Sequence, residues 1–405
     1  MSNSIVFSII IPVYNAGKWI AQTIASMQEQ TEKNIEIICI DDCSTDNSAE
    51  IIEKIALTDP RVHLIRNYSN SGPGKSRNIG LRLAKGEFIH FFDADDYLCN
   101  QNFYREAYQL MVDHCLDMLI FDNFEYDETK KTLVTEDKRR TPFYYAKTEL
   151  NHVLNPKEID FRRFNLNPFP PSKIFRKSFL VLNQIFFPEG MFWEDTPFSV
   201  EISLCMKRVL ITNKKYWVYR VNVATSTSSN FDNKAKDIVP MHKMICKALI
   251  KKNLYEQYKI RFLLICYASL VRFYLPKIQD DDIALSLNGD IKRFFRDLEI
   301  SKSELKNVAT KDPVAAEVIQ FYLENNCASD ACLIHIRKFP IFKVLSTKKE
   351  KRLYLFNRLP FYKIVYRNSC SYHYLLGIFI FSVSSSVIKL CGRLPILQIT
   401  YLIKR

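Results

Sequence analysis

The feature that most limits the fold is an alternation across the first hundred residues. Four short apolar runs, at 5–11, 35–40, 62–65 and 88–92, are separated by segments with apolar residues at helical spacing, such as Ile20, Ile24 and Met27. Short apolar runs bounded by Gly, Pro, Asn or Asp read as buried strands. Strands alternating with helices at this spacing make β-α-β crossovers, so the expected fold class is α/β, with a mostly parallel, doubly wound sheet. The first run ends at Pro12 and passes into the turn Tyr14-Asn15-Ala16-Gly17. The second ends in Asp41-Asp42-Cys43-Ser44-Thr45-Asp46, before a helix with Asn47 and Glu50 spaced as a capping pair.

The fourth run delivers three carboxylates, Asp93, Asp95 and Asp96, to the C-terminal edge of its strand. Ligands of open α/β sheets bind at that edge. Asp93 and Asp95 share a face if the strand geometry persists through Ala94, and paired hard oxygens suit Mg²⁺ or Mn²⁺ with a phosphate-bearing substrate. Tyr14 offers an aromatic face for a flat base, and a strand-end carboxylate such as Asp42 can accept hydrogen bonds from ribose hydroxyls or a base N–H. Two nucleotide motifs are imitated and absent. Gly74-Lys75-Ser76 lacks the first glycine of a phosphate-binding loop, which falls at Ser69, and Gly72-Pro73-Gly74 has Arg77 where a dinucleotide fingerprint needs its third glycine. What remains is a loop presenting Lys75 and Arg77 near a helix start, a place to meet phosphate.

The excess of positive charge is local. The net charge is +13, and residues 331–405 hold fourteen Lys or Arg against one acid, Glu350, so the rest of the chain is neutral. Eleven cysteines at irregular spacing, several inside apolar runs, fit reduced, buried thiols better than a disulfide framework. The apolar run at 5–13 lacks a basic flank and contains Pro12, so it reads as a strand and not a signal peptide, and a cytoplasmic location is expected.

Five segments then match one family in order and spacing: Ser8-Ile-Ile-Ile-Pro-Val-Tyr-Asn15, Ile40-Asp-Asp-Cys-Ser-Thr-Asp46, Gly74-Lys-Ser-Arg-Asn-Ile-Gly80, Ala84-Lys-Gly-Glu-Phe-Ile89 and Phe92-Asp-Ala-Asp-Asp-Tyr97. Together they resemble the nucleotide-binding half of family 2 glycosyltransferases. The resemblance implies a GT-A fold and inverting, metal-dependent transfer from a nucleotide sugar, a UDP-sugar by expectation, to a hydroxyl of a surface glycan. It implies that Pro12 and Tyr14 lie against the base, Asp42 holds uracil or ribose, Arg77 lies near the nucleotide, Asp93 faces the ribose and Asp95 binds the metal. Farther on, Pro171-Ser-Lys-Ile-Phe-Arg-Lys-Ser-Phe179 resembles the family segment that precedes a Glu-Asp pair, matched here by Glu194 and Asp195, of which the Asp acts as base. Inverting transfer needs such a carboxylate to take the acceptor proton. Phe192 and Trp193 beside the pair, and the mutual repulsion of the two acids, would raise their pKa values. Tyr219-Arg220 followed by Ser226-Thr-Ser resembles a segment that closes over the diphosphate, making Arg220 a candidate clamp. The alternative is a nucleotide-sugar-binding scaffold without turnover, against which the retained acids Asp93, Asp95, Glu194 and Asp195 count.

The expected division is a catalytic domain over 1–230, with the nucleotide-sugar half in 1–100 and the acceptor half in 101–230, then a helical extension over 231–330 and the basic, aromatic-rich tail over 331–405. Strands are expected at 117–122, 209–211 and 216–221, with 125–147 a polar loop, and His242 is expected to pack or meet solvent. The tail interleaves cations with aromatics, and its apolar run at 374–388 is too short to span a bilayer as a helix. Two readings follow: peripheral attachment to anionic lipid at the inner face of the plasma membrane, near a lipid-linked acceptor, or a helical appendage packed on the domain. No groove reader or stacking platform for nucleic acid accompanies the charge.

Overall fold

The structure, a computed structural model, describes residues 4–134, 149–162, 164, 166–223 and 231–324, together with the strands between 342 and 390. Residues 135–147 of the expected polar loop at 125–147, the Ser226-Thr-Ser segment and the tail stretches 331–341 and 391–405 lie outside the described residues. The chain forms two units, one of residues 1–230 with 240–256, the other of 231–239 with 257–405.

The first unit begins β1 (Phe7–Val13), α1 (Ile20–Gln28), β2 (Ile35–Asp41), α2 (Ser48–Ala56), β3 (Val62–Arg66), α3 (Pro73–Leu83) and β4 (Phe88–Phe91). It continues with β5 (Tyr97–Leu98), α4 (Phe103–Asp113), β6 (Met118–Asp127), β7 (Thr132–Leu133), α5 (Pro156–Arg162), β8 (Lys173–Arg176), α6 (Lys177–Leu182), α7 (Asp195–Cys205) and β9 (Val209–Val221). The sheet order is β3-β2-β1-β4-β8-β6-β9-β5, with β7 paired to β6. The first four strands are parallel, as the alternation requires. β8 runs antiparallel between β4 and β6, β9 returns parallel to β6, and the short β5 is antiparallel to β9.

Period-2 alternation divides the core into two layers. Phe7, Ile9, Ile11 and Val13 of β1 pack with Ile20, Ile24 and Met27 of α1 and with Phe103, Tyr104, Ala107 and Met111 of α4. Ile10 faces the other side, with Leu81 of α3, Leu180 of α6 and Phe198 and Ile202 of α7. The sheet is thereby covered on both faces, and every central strand can be apolar throughout.

Three expectations change in detail. β6 extends through Asp127, into the stretch expected to be loop, because β7 and β9 both pair with its far end. The two strands expected after residue 208 are one, β9; a register irregularity opposite residues 120–123 accommodates its polar middle, Asn213-Lys214-Lys215. Asn47 does occupy the N-cap of α2 but its side chain makes no capping bond; Asp46 does that work, accepting from Ser48 N at 3.0 Å and Gly17 N at 2.9 Å.

After β9 come α8 (Ala235–Lys251) and α9 (Tyr255–Cys266), the latter continued by a π-helical stretch Tyr267–Tyr274, then α10 (Asp281–Asp297), α11 (Lys302–Lys311) and α12 (Pro313–Glu324). Asp280 caps α10, and Ser301 with Glu304 closes a capping box on α11. The described part of the tail is not helical: six strands from Phe342–Ser346 to Val387–Leu390 pair in sequence order as an antiparallel meander. Alternating aromatic and β-branched residues favour strands over a helix there. No described helix is long and apolar enough to cross a membrane.

Candidate active site

The C-terminal ends of β1, β2 and β4 lie side by side in the sheet, and the loops that leave them build one site. The β1 and β2 loops clamp each other. Asn15 N donates to Ser44 Oγ at 3.1 Å, and Asn15 Oδ1 accepts from Thr45 N at 2.8 Å. Asn15 and Cys43 both take positive φ, 50° and 66°, directly after Tyr14 and Asp42. Asn tolerates this region and Cys does not do so readily, so strain is placed beside the expected base and ribose contacts. Tyr14 is left 50% exposed, and Pro12 is partly buried.

Asp42 is committed to a loop. Its carboxylate accepts from Asn67 Nδ2 at 2.7 Å, Ser71 N at 3.0 Å and Gly72 N at 2.7 Å, and it is buried. Gly72 has φ 84°, a conformation that opens α3 and that a side chain would strain. Asp42 therefore fixes the start of the helix that carries Lys75 and Arg77. Gly74, two residues on, allows that helix to touch the 188–194 segment: a Cβ there would meet Pro188 O at 2.3 Å and Glu194 Cγ at 3.1 Å.

Arg77 is the junction. It is buried, and its guanidinium donates from Nη1 to Glu194 Oε1 at 2.7 Å and from Nη2 to Asp93 Oδ1 at 3.0 Å. One side chain thus joins the strand-end acids of β4 to the acids at the start of α7, which are 101 residues apart in the chain. Asn78 repeats the tie one residue later: its Nδ2 donates to Phe187 O and to Glu189 Oε1, each at 2.9 Å, and its Oδ1 accepts from Phe187 N at 2.9 Å.

The three β4 acids have separated roles. Asp93 is partly exposed, its side chain at 32%, with one oxygen on Arg77. Burial, then the charge of Asp93, pushes the Asp95 carboxyl up to about 6. Asp96 is buried inside the turn, where its Oδ1 accepts from Arg220 N at 2.9 Å; burial and its two acidic neighbours raise it well above an ordinary carboxyl. Thr23 Oγ1 of α1 donates to Ala94 O and Asp96 O, at 2.9 and 2.7 Å, and pins the turn from below.

Arg220 holds that same turn. Its Nε donates to Asp95 O at 2.6 Å, Nη1 to Glu128 Oε2 at 3.3 Å, and Nη2 to Gln22 Oε1, while the guanidinium lies over Tyr97 and Tyr126 at 5.0 and 5.7 Å. It is buried, and with three of its five N–H groups bonded in this way it positions Asp95.

Glu194 is the N-cap residue of α7 and Asp195 its first residue. Trp193, just before them, has φ 64°, which is rare for an aromatic residue and stores strain next to the acids. Burial, then Glu194, pushes Asp195 up to about 6; Arg77 and Lys173 oppose that rise. Lys173 is the residue whose importance the sequence conceals. It lies on β8, 1% exposed, donating to Phe169 O at 2.6 Å and Ser172 Oγ at 3.2 Å; burial pulls its amine down to about 7, against the attraction of Asp195. Its signal was its place in the Pro171–Phe179 segment, at the head of the short strand Lys-Ile-Phe-Arg. Since its charge holds Asp195 down, Lys173→Met is expected to move the acid limb of a kcat/KM profile upward in pH, and an unmoved limb would remove Lys173 from the site.

An oxygen-rich edge with two acids of raised pKa and a second, partly neutralised acid pair across an arginine is an arrangement for a charged, phosphate-bearing substrate and a proton-accepting carboxylate. His242 is buried in α8 (Ala235–Lys251).

Comparison with known proteins agrees. The family described as Glycosyl transferase family 2 matches residues 8–174. The chain is 28% identical over 235 residues to glycosyltransferase GlyG of Streptococcus pneumoniae serotype 4, an alignment covering 57% of this chain and 76% of GlyG. It is also 28% identical over 261 residues to the poly(ribitol-phosphate) beta-N-acetylglucosaminyltransferase TarS of Staphylococcus aureus, covering 64% of this chain but only 43% of that enzyme. Among solved structures, S. aureus TarS 1–349 in complex with UDP superposes with a TM-score of 0.60 at 22% identity, over 86% of this chain and 96% of the other. Its complex with UDP-GlcNAc gives 0.60 at 21%. This likeness establishes the fold as GT-A. Residues 8–174, which carry the strand ends, Arg77 and the Asp93–Asp96 turn, belong to glycosyl transferase family 2.

Proposed function

We propose that the protein is an inverting glycosyltransferase that moves a hexosyl or N-acetylhexosaminyl group from a UDP-sugar to a hydroxyl of a growing surface glycan. The observation that carries this is the Arg77 junction, which brings Asp93 and Glu194 to one guanidinium and so puts the donor edge beside the acid pair. Tyr14 stacks on the base, with Pro12 behind it, and the Asp42-anchored loop presents Lys75 toward the nucleotide. Asp195 takes the proton of the acceptor hydroxyl as that oxygen attacks the anomeric carbon. The new C–O bond forms opposite the breaking bond to the diphosphate, which leaves as UDP.

Asp93 and Asp95, which stand in the turn after β4 ends at Phe91 and not on an extended strand face as expected, would be the residues to hold a divalent ion; among the described residues no group of three or more His, Cys, Asp or Glu gathers into a metal cluster. Burial and mutual repulsion raise Asp95, a site that gains from a cation, and two carboxylates suit an ion that completes its shell with phosphate oxygens and water. Mg²⁺ or Mn²⁺ held there would neutralise charge on the leaving diphosphate. Asp95→Asn is expected to lower activity at least ~10²-fold with the fold retained, measured by UDP release at saturating Mn²⁺. Wild-type turnover in excess chelator would end the metal-dependent reading. A panel of UDP- and GDP-sugars with Mn²⁺ or Mg²⁺, scored for nucleoside diphosphate release, tests the activity itself; no release from any donor overturns it.

The proposal extends to place. Residues 331–405 hold the whole net charge, and each cation near an anionic leaflet contributes about 1 kcal/mol of attraction. Peripheral binding at the inner face of the plasma membrane would put the site beside a lipid-linked acceptor. The full chain is expected to sediment with anionic vesicles at low salt and to leave them as salt rises; indifference to such vesicles removes the membrane from the account.

A further inference from the structure

We propose that Phe169 and Tyr219 form an acceptor subsite, a stacking platform for the pyranose ring whose hydroxyl is glycosylated; this rests on the transfer reading above. The two rings lie 5.9 Å apart at 31°. Phe169 is 43% exposed, yet its segment is among the most firmly held near the site. Phe169 N donates to Asn167 Oδ1 at 2.9 Å, and Phe169 O accepts from Lys173 Nζ at 2.6 Å and Ser172 Oγ at 2.8 Å. Pro168 O accepts from Ser199 Oγ at 3.2 Å and Pro171 O from His90 Nε2 at 3.0 Å, while Pro168, Pro170 and Pro171 restrict the backbone. Part of the Phe169 ring packs on Tyr219 and the rest stays open to solvent, and a partly exposed aromatic on a pinned loop is a usual construction of a ligand contact.

Its position supplies the ligand. Ser199 is one helical turn beyond Asp195 on α7, and Lys173, bonded to the Phe169 carbonyl, is the cation that Asp195 feels from β8. Tyr219 is set toward the donor acids: β9 carries it on the face opposite Arg220, where its ring also meets Trp217 at 5.7 Å, and burial followed by the charges of Asp96, Asp93 and Asp95 pushes its phenol up. The pair therefore runs from the base toward the donor acids, the path an acceptor must take. A pyranose has one face of C–H groups that packs on an aromatic ring while its hydroxyl edge stays free to reach a carboxylate. An extended alditol phosphate has no such face, so the platform selects a glycosidic acceptor over a poly(ribitol phosphate) chain.

The test uses the full-length protein with methyl β-hexopyranosides and ribitol 5-phosphate as probes. Saturation-transfer NMR should mark the ring C–H protons of a pyranoside on the wild type, lose that signal in Phe169→Ala and keep it in Phe169→Trp. With the donor that the panel identifies, the KM for the pyranoside should rise about 10-fold in Phe169→Ala, while UDP affinity by calorimetry is unchanged. If Phe169→Ala does not fold, Phe169→Leu keeps the apolar bulk, loses the ring face and must show the same losses. An unchanged NMR signal, a loss of UDP affinity, or binding of ribitol phosphate in place of pyranosides each overturns the subsite. Should the wild type turn over no donor, the transfer reading fails, and the NMR signal still decides whether the platform exists.

Discussion

Asp195→Asn is expected to lower kcat at least ~10²-fold while leaving the affinity for UDP unchanged. The amide keeps the shape and the neighbours of the carboxylate but cannot take the acceptor proton. Asp195 is raised to about 6 by burial and by Glu194, so the wild type should show an acid limb in kcat/KM near pH 6 that the variant lacks. The sign for stability is the opposite. A carboxyl whose folded pKa lies above its unfolded value stabilises the fold while protonated, and that contribution is lost as pH rises through about 6. Activity is gained over the same interval, so the base works at a cost to the fold. Asp195→Asn removes that cost, and its melting temperature above pH 7 should equal or exceed the wild type's. A variant that is dead and less stable would have been damaged structurally. Glu194→Gln is the counterpart: Glu194 is bound to Arg77, so its loss should disturb stability and donor affinity before chemistry. If Glu194→Gln abolishes transfer and Asp195→Asn spares it, the roles within the pair are reversed.

The first four strands and the strand-end acids were legible because each depends on local signals. Apolar runs bounded by turn residues mark β1 to β4, and a parallel sheet puts all their C-terminal ends on one edge; that β1, β2 and β4 are neighbours there is shown by the fold. The far half was less legible for a physical reason. β6 and β9 stabilise each other's polar residues by pairing, as at Asp122 with Lys215 and Tyr126 with Arg220, and no window of a single strand contains that information. The tail was expected in one reading to be helical on its apolar run and charge, whereas the alternation of its aromatic and β-branched residues favours the strands that its described part forms. Among site residues, sequence exposed the acids and concealed their partners. Asp42 looked like a ligand for a nucleoside, and its carboxylate is taken up by backbone N–H groups at Ser71 and Gly72. Arg220 looked like a free clamp, and Gln22, Glu128 and the Asp95 carbonyl, at sequence separations from 92 to 198, already occupy it. Lys173 and Asn78 carry no motif that marks them apart from their segments; only the fold reveals that one sits under the base and the other laces α3 to the loop before α7.

Arg77→Met is expected to have the largest effect on the fold and to silence transfer as well. The side chain is 7% exposed and its two partners differ: Glu194 is 11% exposed, Asp93 32%. Losing the guanidinium strands Glu194 as an unpaired buried charge, a change that typically costs 3–5 kcal/mol, whereas Asp93 can turn to solvent. At the low end of that range the melting temperature should fall by roughly 6–12 °C for a domain of this size. Arg77→Lys should recover little, because one ammonium cannot reproduce the fork that reaches both acids at 2.7 and 3.0 Å. The double variant Arg77→Met with Glu194→Gln separates the two consequences. Neutralising the stranded acid should restore most of the lost stability, since a buried pair removed together is far less harmful than one partner removed alone. Transfer should stay lost, because nothing then holds the Asp93 turn against the start of α7. Thermal melts and UDP release on the three variants decide it: if Arg77→Met melts and turns over like the wild type, the junction is incidental, and the alignment of donor edge and base must come from the backbone alone.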